Sequence, residues 1–332
     1  MRLPKSRGPL SEFLIDHLSG PPRGAAGPSV RPADPLGDDD LHLALYIAYE
    51  LHYRGFDDVD ETWEWEPSII SFRTELETYF EEALRQVVGR IDISAPDVPG
   101  ALQDLSQANG GPSLAHFVES SASLENVREF LIHRSIYHLR EADSHTWALP
   151  RLSGRTKAAL VEIQMDEYGS GLEERMHASL FRDTLEALGL ETTYGAYIDV
   201  VPGVTLATVN LMSLFGLHRR WRGACVGHLA LFEMTSTDPN RRYGRGLRRL
   251  GYGVNATRFF DEHVEADAIH EVIAANDLAG TLASESQTMA ETVLFGARSL
   301  DVLDTRFAQH LLQTWQKGET SLLERHPSPT GS

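Results

Sequence analysis

From residue 41 to 54 the apolar residues Leu41, Leu45, Ala48 and Leu51, joined by Leu43 and Ile47, recur at three- and four-residue intervals. That spacing puts them on one side of a 3.6-residue turn and predicts a helix. The acidic run Asp38-Asp39-Asp40 stands at its start, where carboxylates cap free amides and complement the helix dipole. Similar periodicity predicts helices over 68–89, 123–148, 154–168, 172–188, 202–217, 224–235 and 261–276, with two more in 281–315 around Gly296. Alternating strand patterns are short and rare, so the expected fold class is all-α, a bundle of packed antiparallel helices. Trp63-Glu64-Trp65-Glu66-Pro67 interrupts the first two helices as a rigid aromatic loop, expected to anchor on the core rather than touch a substrate.

The flanks lack any such period. Between Gly20 and Gly37 nine positions are Gly or Pro, so residues 1–38 are expected to be a disordered arm. The polar, breaker-rich end around His326-Pro-Ser-Pro makes 319–332 a tail by the same argument. Between them, 39–120 reads as an N-terminal helical region and 121–318 as the main bundle. The first residues have no apolar run of signal-peptide length, and the most apolar window, 197–217, carries Asp199, Pro202, Gly203, Asn210 and Gly216. A buried helix after Pro202 is expected there, with no membrane partner and a cytoplasmic location.

Composition narrows the chemistry. The 332 residues hold 30 Lys+Arg against 48 Asp+Glu, a formal charge of −18, which argues against non-specific nucleic-acid binding. Hydrophobic residues at 42% and charged residues at 23% suit a chain that buries a large core. Cys225 is the only cysteine, which excludes an intrachain disulfide and any thiolate metal cluster. Arg219, Arg220, Arg222, Arg241, Arg242, Arg245, Arg248 and Arg249 stand out against the acidic background. Their expected role is to neutralise surface carboxylates, ahead of holding an acidic substrate or a reductant protein. Gly251-x-Gly253-x-x-Ala256 is no dinucleotide fingerprint, because no strand precedes it.

In a helical bundle, metal sites take a carboxylate from each of two helices and Glu-x-x-His units from two others. Among the 14 histidines, an acidic residue three positions earlier occurs at Asp39/His42, Glu174/His177 and Asp267/His270. The first lies at a helix start, where capping explains the aspartate. The third is extended by His263: at about 100° per residue, His263, Asp267 and His270 project at about 0°, 40° and −20°, one face of one helix. Glu167 lies two turns before Glu174, but Gly169-Ser170-Gly171 intervenes, so the choice between these two glutamates stays open. Glu233 sits in the otherwise apolar Gly227-His228-Leu229-Ala230-Leu231-Phe232-Glu233-Met234, where an unpaired carboxylate would cost several kcal/mol, roughly, unless a cation or proton offsets it. Glu141 is a weaker candidate, since Arg140 or solvent would also satisfy it. Together these residues form a nitrogen and oxygen donor set suited to non-haem iron or manganese.

This pattern resembles the haem-oxygenase-like di-iron oxidases and oxygenases, a family of iron-containing redox enzymes. The family's ligand helices read here as Glu141, Glu167 with His177, Glu233, and His263-x-x-x-Asp267-x-x-His270. The resemblance covers about residues 85–285, and the spacing is most similar to a central N-hydroxylating domain whose N-terminal helical extension supports dimerisation. That relative's C-terminal cupin domain has no room in this chain, so nitrosamine formation is not expected. The resemblance implies a haem-oxygenase-like bundle holding two Fe(II) per chain, with O2 as co-substrate and an external electron donor such as a reductase or ferredoxin. It further implies a peroxo-di-iron(III) species that oxidises a small amine, amino acid or related metabolite, N-oxygenation being favoured. Desaturation or C–C cleavage, a metal-free thiaminase-like or cofactorless enzyme, and a non-enzymatic iron-binding protein are the alternatives. Phe232, Met234 and Phe260 are candidates to line the substrate pocket beside the metals, or else plain core.

Overall fold

The computed structural model describes residues 1–24, 26–108 and 113–323, and of 266–269 the backbone alone. In chain order its helices are α1 (Pro9–Leu18), α2 (Asp39–Glu50), α3 (Pro67–Val88), α4 (Val98–Gln107), α5 (Leu114–Ser120), α6 (Leu124–His138), α7 (Asp143–Thr146), α8 (Gly154–Glu167) and α9 (His177–Ala187). Then follow α10 (Gly203–Leu217), α11 (Arg222–Met234), α12 (Thr237–Arg249), α13 (Val254–Val272), the π-helical stretch Ile273–Gly280, α14 (Thr281–Ala283) and α15 (Gln287–Gln316). Among the described residues there is no strand, as the hydrophobic period predicts, and no helix long and apolar enough to cross a membrane.

The three leading aspartates each cap a different helix. Asp38 accepts from the amides of Asp40 and Leu41 and starts α2. Asp40 reaches the first turn of α1, accepting from the amides of Leu10 and Ser11 at 2.8 Å each. Asp39 accepts from the amide of Gly203, the first residue of α10. Each bond satisfies an orphan donor at a helix start.

The expected disordered arm is therefore in part a docked helix: Leu10, Leu14 and Leu18 of α1 are fully buried against α2. A four-residue apolar period in so short a helix was outweighed, in the sequence, by the Gly/Pro run that follows it. At the other end Ser321, expected in the loose tail, is buried and held by Glu129 at 2.6 Å. Residues 324–332 of that tail lie outside the described residues. The expected division at residue 120 has no counterpart in the packing, because one core runs from Leu10 of α1 to Leu303 of α15.

A second core gathers α5, α6, α9, α12, α13 and the last turns of α15 around Phe130, Phe181, Phe259 and Phe307. The two cores meet at the end of α6. There Tyr137 packs against Phe232 of the first, and the next residue, His138, against Phe181 and Phe259 of the second.

α11 and α15 make the closest crossing in the bundle. A Cβ on Gly227 would overlap the carbonyl oxygen of Val293, and one on Gly296 would overlap that of Ala224. The two helices thus pass backbone to backbone at a reciprocal pair of glycines. This is why α15 runs straight through Gly296 where two helices were expected: the glycine serves packing, not chain reversal. Because backbone oxygens cannot move aside, Gly227→Ala or Gly296→Ala should each destabilise the fold by about 1–3 kcal/mol. Thermal unfolding measures this, and an unchanged midpoint would mean that the crossing tolerates separation.

Candidate metal centre

Glu141 owes its place to a break in the helix expected over 123–148. α6 stops at His138, and the chain turns through Ala142 in the left-handed region at φ 72°. Strain of this kind costs about 1–3 kcal/mol and must be held by its surroundings. Arg140 does the holding: fully buried, it pairs with Glu50 at 3.3 Å and lies 4.0 Å over the Tyr53 ring. With Arg140 drawn one way, Glu141 turns the other, into the interior, 4% exposed.

Glu167 is the last residue of α8. Gly169, Ser170 and Gly171 after it all take positive φ, at 62°, 54° and 84°. A Cβ on Gly169 would come within 2.6 Å of the backbone of Arg175 and Met176, so this reversal needs a glycine there. The chain returns to begin α9 at His177, whose Nδ1 lies 3.0 Å from Glu167 Oε2. The reversal also corrects one expected ligand. Glu174 stands exposed on the turn Glu173–Arg175, outside the helix that would have set it beside His177.

Glu233 occupies the last turn of α11, and His263 and His270 lie two turns apart on α13; all three are buried. The structure brings these side chains into two groups, Glu141–Glu167–His177–His263 and Glu167–Glu233–His270. Within each, the candidate ligand atoms lie within 4.8 Å of one another, and Glu167 belongs to both. The side chain of Asp267, expected on the same stripe of α13, lies outside the described residues.

The histidines are set to offer a lone pair inward. His263 Nδ1 lies 2.8 Å from the Phe259 carbonyl, which fixes its proton there and leaves Nε2 toward Glu141. His270 Nε2 lies 3.0 Å from Asp166, which leaves Nδ1 at 3.3 Å from Glu233. Such outer partners are what orient imidazole ligands at metal sites. Buried Glu141 Oε2 has no hydrogen-bond partner among the described residues, and His177 Nδ1 meets Glu167 Oε2 as an ion pair without hydrogen-bond alignment. A cation would satisfy both, so the residues present fit a metal. Helix dipoles add to this: α6, α8 and α11 all end beside the cluster and bring partly negative C-termini to it.

Without a cation, protons must balance the carboxylates. Burial pushes Glu141 up, but His138 and His263 outweigh it and hold Glu141 well below the usual carboxylate range. Burial likewise opposes ionisation of Glu167, and His177 overcomes it and keeps Glu167 low. Burial lowers His270, but Glu233, Asp166 and Glu167 raise it to about 9.

Sequence reasoning missed several neighbours of these ligands. His138 Nδ1 lies 2.8 Å from Glu141 Oε1, a His-x-x-Glu pair that a search for an acid preceding a histidine passes over. Asp166 was masked by its neighbour Glu167. His145 and His228, 3.1 Å apart, are buried together and carried no signal of spacing.

A cavity of about 300 Å³ opens beside the cluster, reaching His138, Glu141 and His263. Phe232 and Phe260 line it as expected, whereas Met234 packs on the first core instead. The α12 arginines face carboxylates: Arg242 and Arg245 pair with Glu119 at 2.9 and 3.1 Å, and Arg248 with Asp261 at 2.5 Å. Arg220 pairs with Glu81 at 2.7 Å. Gly251 lies between α12 and α13, a helix-to-helix turn.

The sequence profile of a family described as iron-containing redox enzymes matches residues 128–303. A stretch of 117 residues is 29% identical to nitrosourea synthase from Streptomyces achromogenes subsp. streptozoticus. That match takes in 35% of this chain and spans only 25% of the relative.

The raised His270 has a measurable consequence. A divalent cation on Nδ1 requires the neutral ring, so loading at pH 7 should expel at least one proton. Affinity should rise with pH up to about 9 and level off above it. Calorimetric titration in buffers of different ionisation enthalpy counts the released protons, and heats that do not depend on buffer would show that His270 keeps its proton.

Proposed function

Because the chain belongs to the iron-containing redox enzyme family, a helical, haem-oxygenase-like fold, we propose that it is an oxidoreductase with a di-iron centre that activates O2 to oxidise a small amine, amino acid or related metabolite. The observation that carries this reading is Glu167, shared by two buried groups of nitrogen and oxygen donors. A carboxylate common to both groups suits a pair of divalent ions it can bridge, whereas a single ion would leave one group idle. The absence of sulfur among the donors favours iron over softer metals.

In this reading two ferrous ions, re-reduced by an external donor, supply the electrons for dioxygen chemistry. The chain's own residues do the rest. Glu141, His177 and His263 would hold one ion and Glu233 and His270 the other, with Glu167 within reach of both. His138 fixes Glu141 Oε1, while the Phe259 carbonyl and Asp166 keep the α13 imidazoles turned inward. The cavity lined by Phe232 and Phe260 would present the organic substrate to the Glu141 and His263 side. N-oxygenation is favoured, since the relative matched over 117 residues is a nitrosourea synthase.

Anaerobic reconstitution should load two Fe(II) per chain, and mixing with O2 in a stopped-flow spectrometer should give a transient visible absorption. Glu167→Ala should lose both ions and His263→Ala at least one, whereas His42→Ala should retain both. Less than one iron in the parent protein with a flat trace would end this proposal.

A further inference from the structure

The candidate ligand cluster borders a second, smaller cavity. Its volume is about 10 Å³, and Tyr137, His145, Gln164, Glu167 and Glu233 are among its walls. Space of that size admits about one water-sized body. Like the large cavity it touches His263 and Phe232, but where the large one reaches Glu141, the small one reaches Glu167 and Glu233.

Two of its walls are polar groups that the protein leaves unsatisfied. Gln164 is 4% exposed, and its Oε1 accepts from the Thr146 hydroxyl at 2.7 Å, while Nε2 has no hydrogen-bond partner among the described residues. The Tyr168 hydroxyl, which donates to Asp143 at 2.8 Å, lies 3.0 Å from Thr146 and packs beside it. His145 is 1% exposed; its Nε2 meets His228 Nδ1 at 3.1 Å, and its Nδ1 has no partner among the described residues. A buried polar group without a partner costs about 1–3 kcal/mol, and here two border one small cavity beside candidate metal ligands. Neither is a candidate ligand, so a bound metal would not by itself satisfy them.

We propose that this cavity receives a small oxygen-donor ligand of the metal centre, one or two heavy atoms in size, and that Gln164 and His145 anchor it by hydrogen bonds. The inference rests on the di-iron reading. It divides the centre in two: organic substrate enters on the Glu141 side, and the small ligand sits on the Glu167–Glu233 side, where no substrate-sized molecule fits. Gln164 thereby fixes which face of the metals the small ligand takes.

Nitric oxide, a diatomic that binds ferrous iron, is the probe. Titrated into the anaerobic Fe(II)-loaded protein, it gives an affinity by absorption and an N–O stretch by infrared spectroscopy. Gln164→Leu should retain two irons, weaken nitric oxide binding about tenfold, as loss of one buried hydrogen bond predicts, and shift the N–O stretch. Gln164→Met, close to glutamine in shape, also removes the donor and should weaken binding to the same extent, and it carries the test if the leucine variant does not fold. Two irons in each protein with unchanged affinity and stretch would overturn the small-ligand site and leave the di-iron reading standing. A parent protein that binds no iron would overturn both.

Discussion

Three glutamates are buried together, Glu141 and Glu233 each with a carboxylate oxygen within 4.8 Å of Glu167, and the rest of the site is arranged around the need to balance them. Three buried carboxylates without compensation would cost more than the net stability of an ordinary domain. His138, His177, His263 and His270 meet part of that cost through close contacts at 2.8–3.7 Å. The convergence of three helix C-termini raises the demand for positive charge rather than lowering it. A protein has little reason to build such a place unless a cation comes to it. The orphaned Glu141 Oε2 marks where the protons fall short.

The same constraint explains why most ligands sit at helix ends. Glu141 follows α6, Glu167 closes α8, His177 opens α9 and Glu233 lies in the last turn of α11, while only α13 passes through the cluster intact. Carboxylates arriving from different directions can surround a small volume, which one helical stripe cannot do. The glycine crossing of α11 on α15 fixes the depth of Glu233, and the glycine-rich reversal after α8 fixes His177 against Glu167. Rigidity is thus concentrated in backbone contacts near the site.

What the residues disclosed in advance follows from these facts. His263 and His270 share an unbroken helix, so the 3.6-residue period placed them correctly on one face. Glu233 was legible because its neighbours are apolar and its burial demanded an explanation. The period says nothing about where a helix stops, so the break before Glu141 and the turn that exposes Glu174 were invisible to it. The first break is enforced by tertiary contacts of Arg140 with Glu50 and Tyr53; the second is local, the approach of Gly169 to Arg175, and its glycines are the signal that left Glu167 and Glu174 both open. Leu10, Leu14 and Leu18 were passed over for a related reason. The bonds from Asp40 that hold their helix start thirty positions along the chain, beyond any local window.

The arginines of α12 bear on access to the large cavity. Ser113, Leu114 and Ala115, at the start of α5, line that cavity, and α5 packs along α12. Arg242 and Arg245 grip Glu119 of α5, while Arg249 donates to the carbonyls of Val118, Glu119 and Ala122. Exposed ion pairs of this kind contribute little, because solvent screens them. Burying Leu114 and Val118, at 5% and 1% exposure, contributes about 1.5–3 kcal/mol apiece, so apolar packing holds α5 in place and the arginines set its register. Gly246 makes that packing tight, since a Cβ there would come within 2.5 Å of the Val118 carbonyl oxygen. The wall of the large cavity is therefore built as the candidate metal centre is, by a helix held close at a glycine.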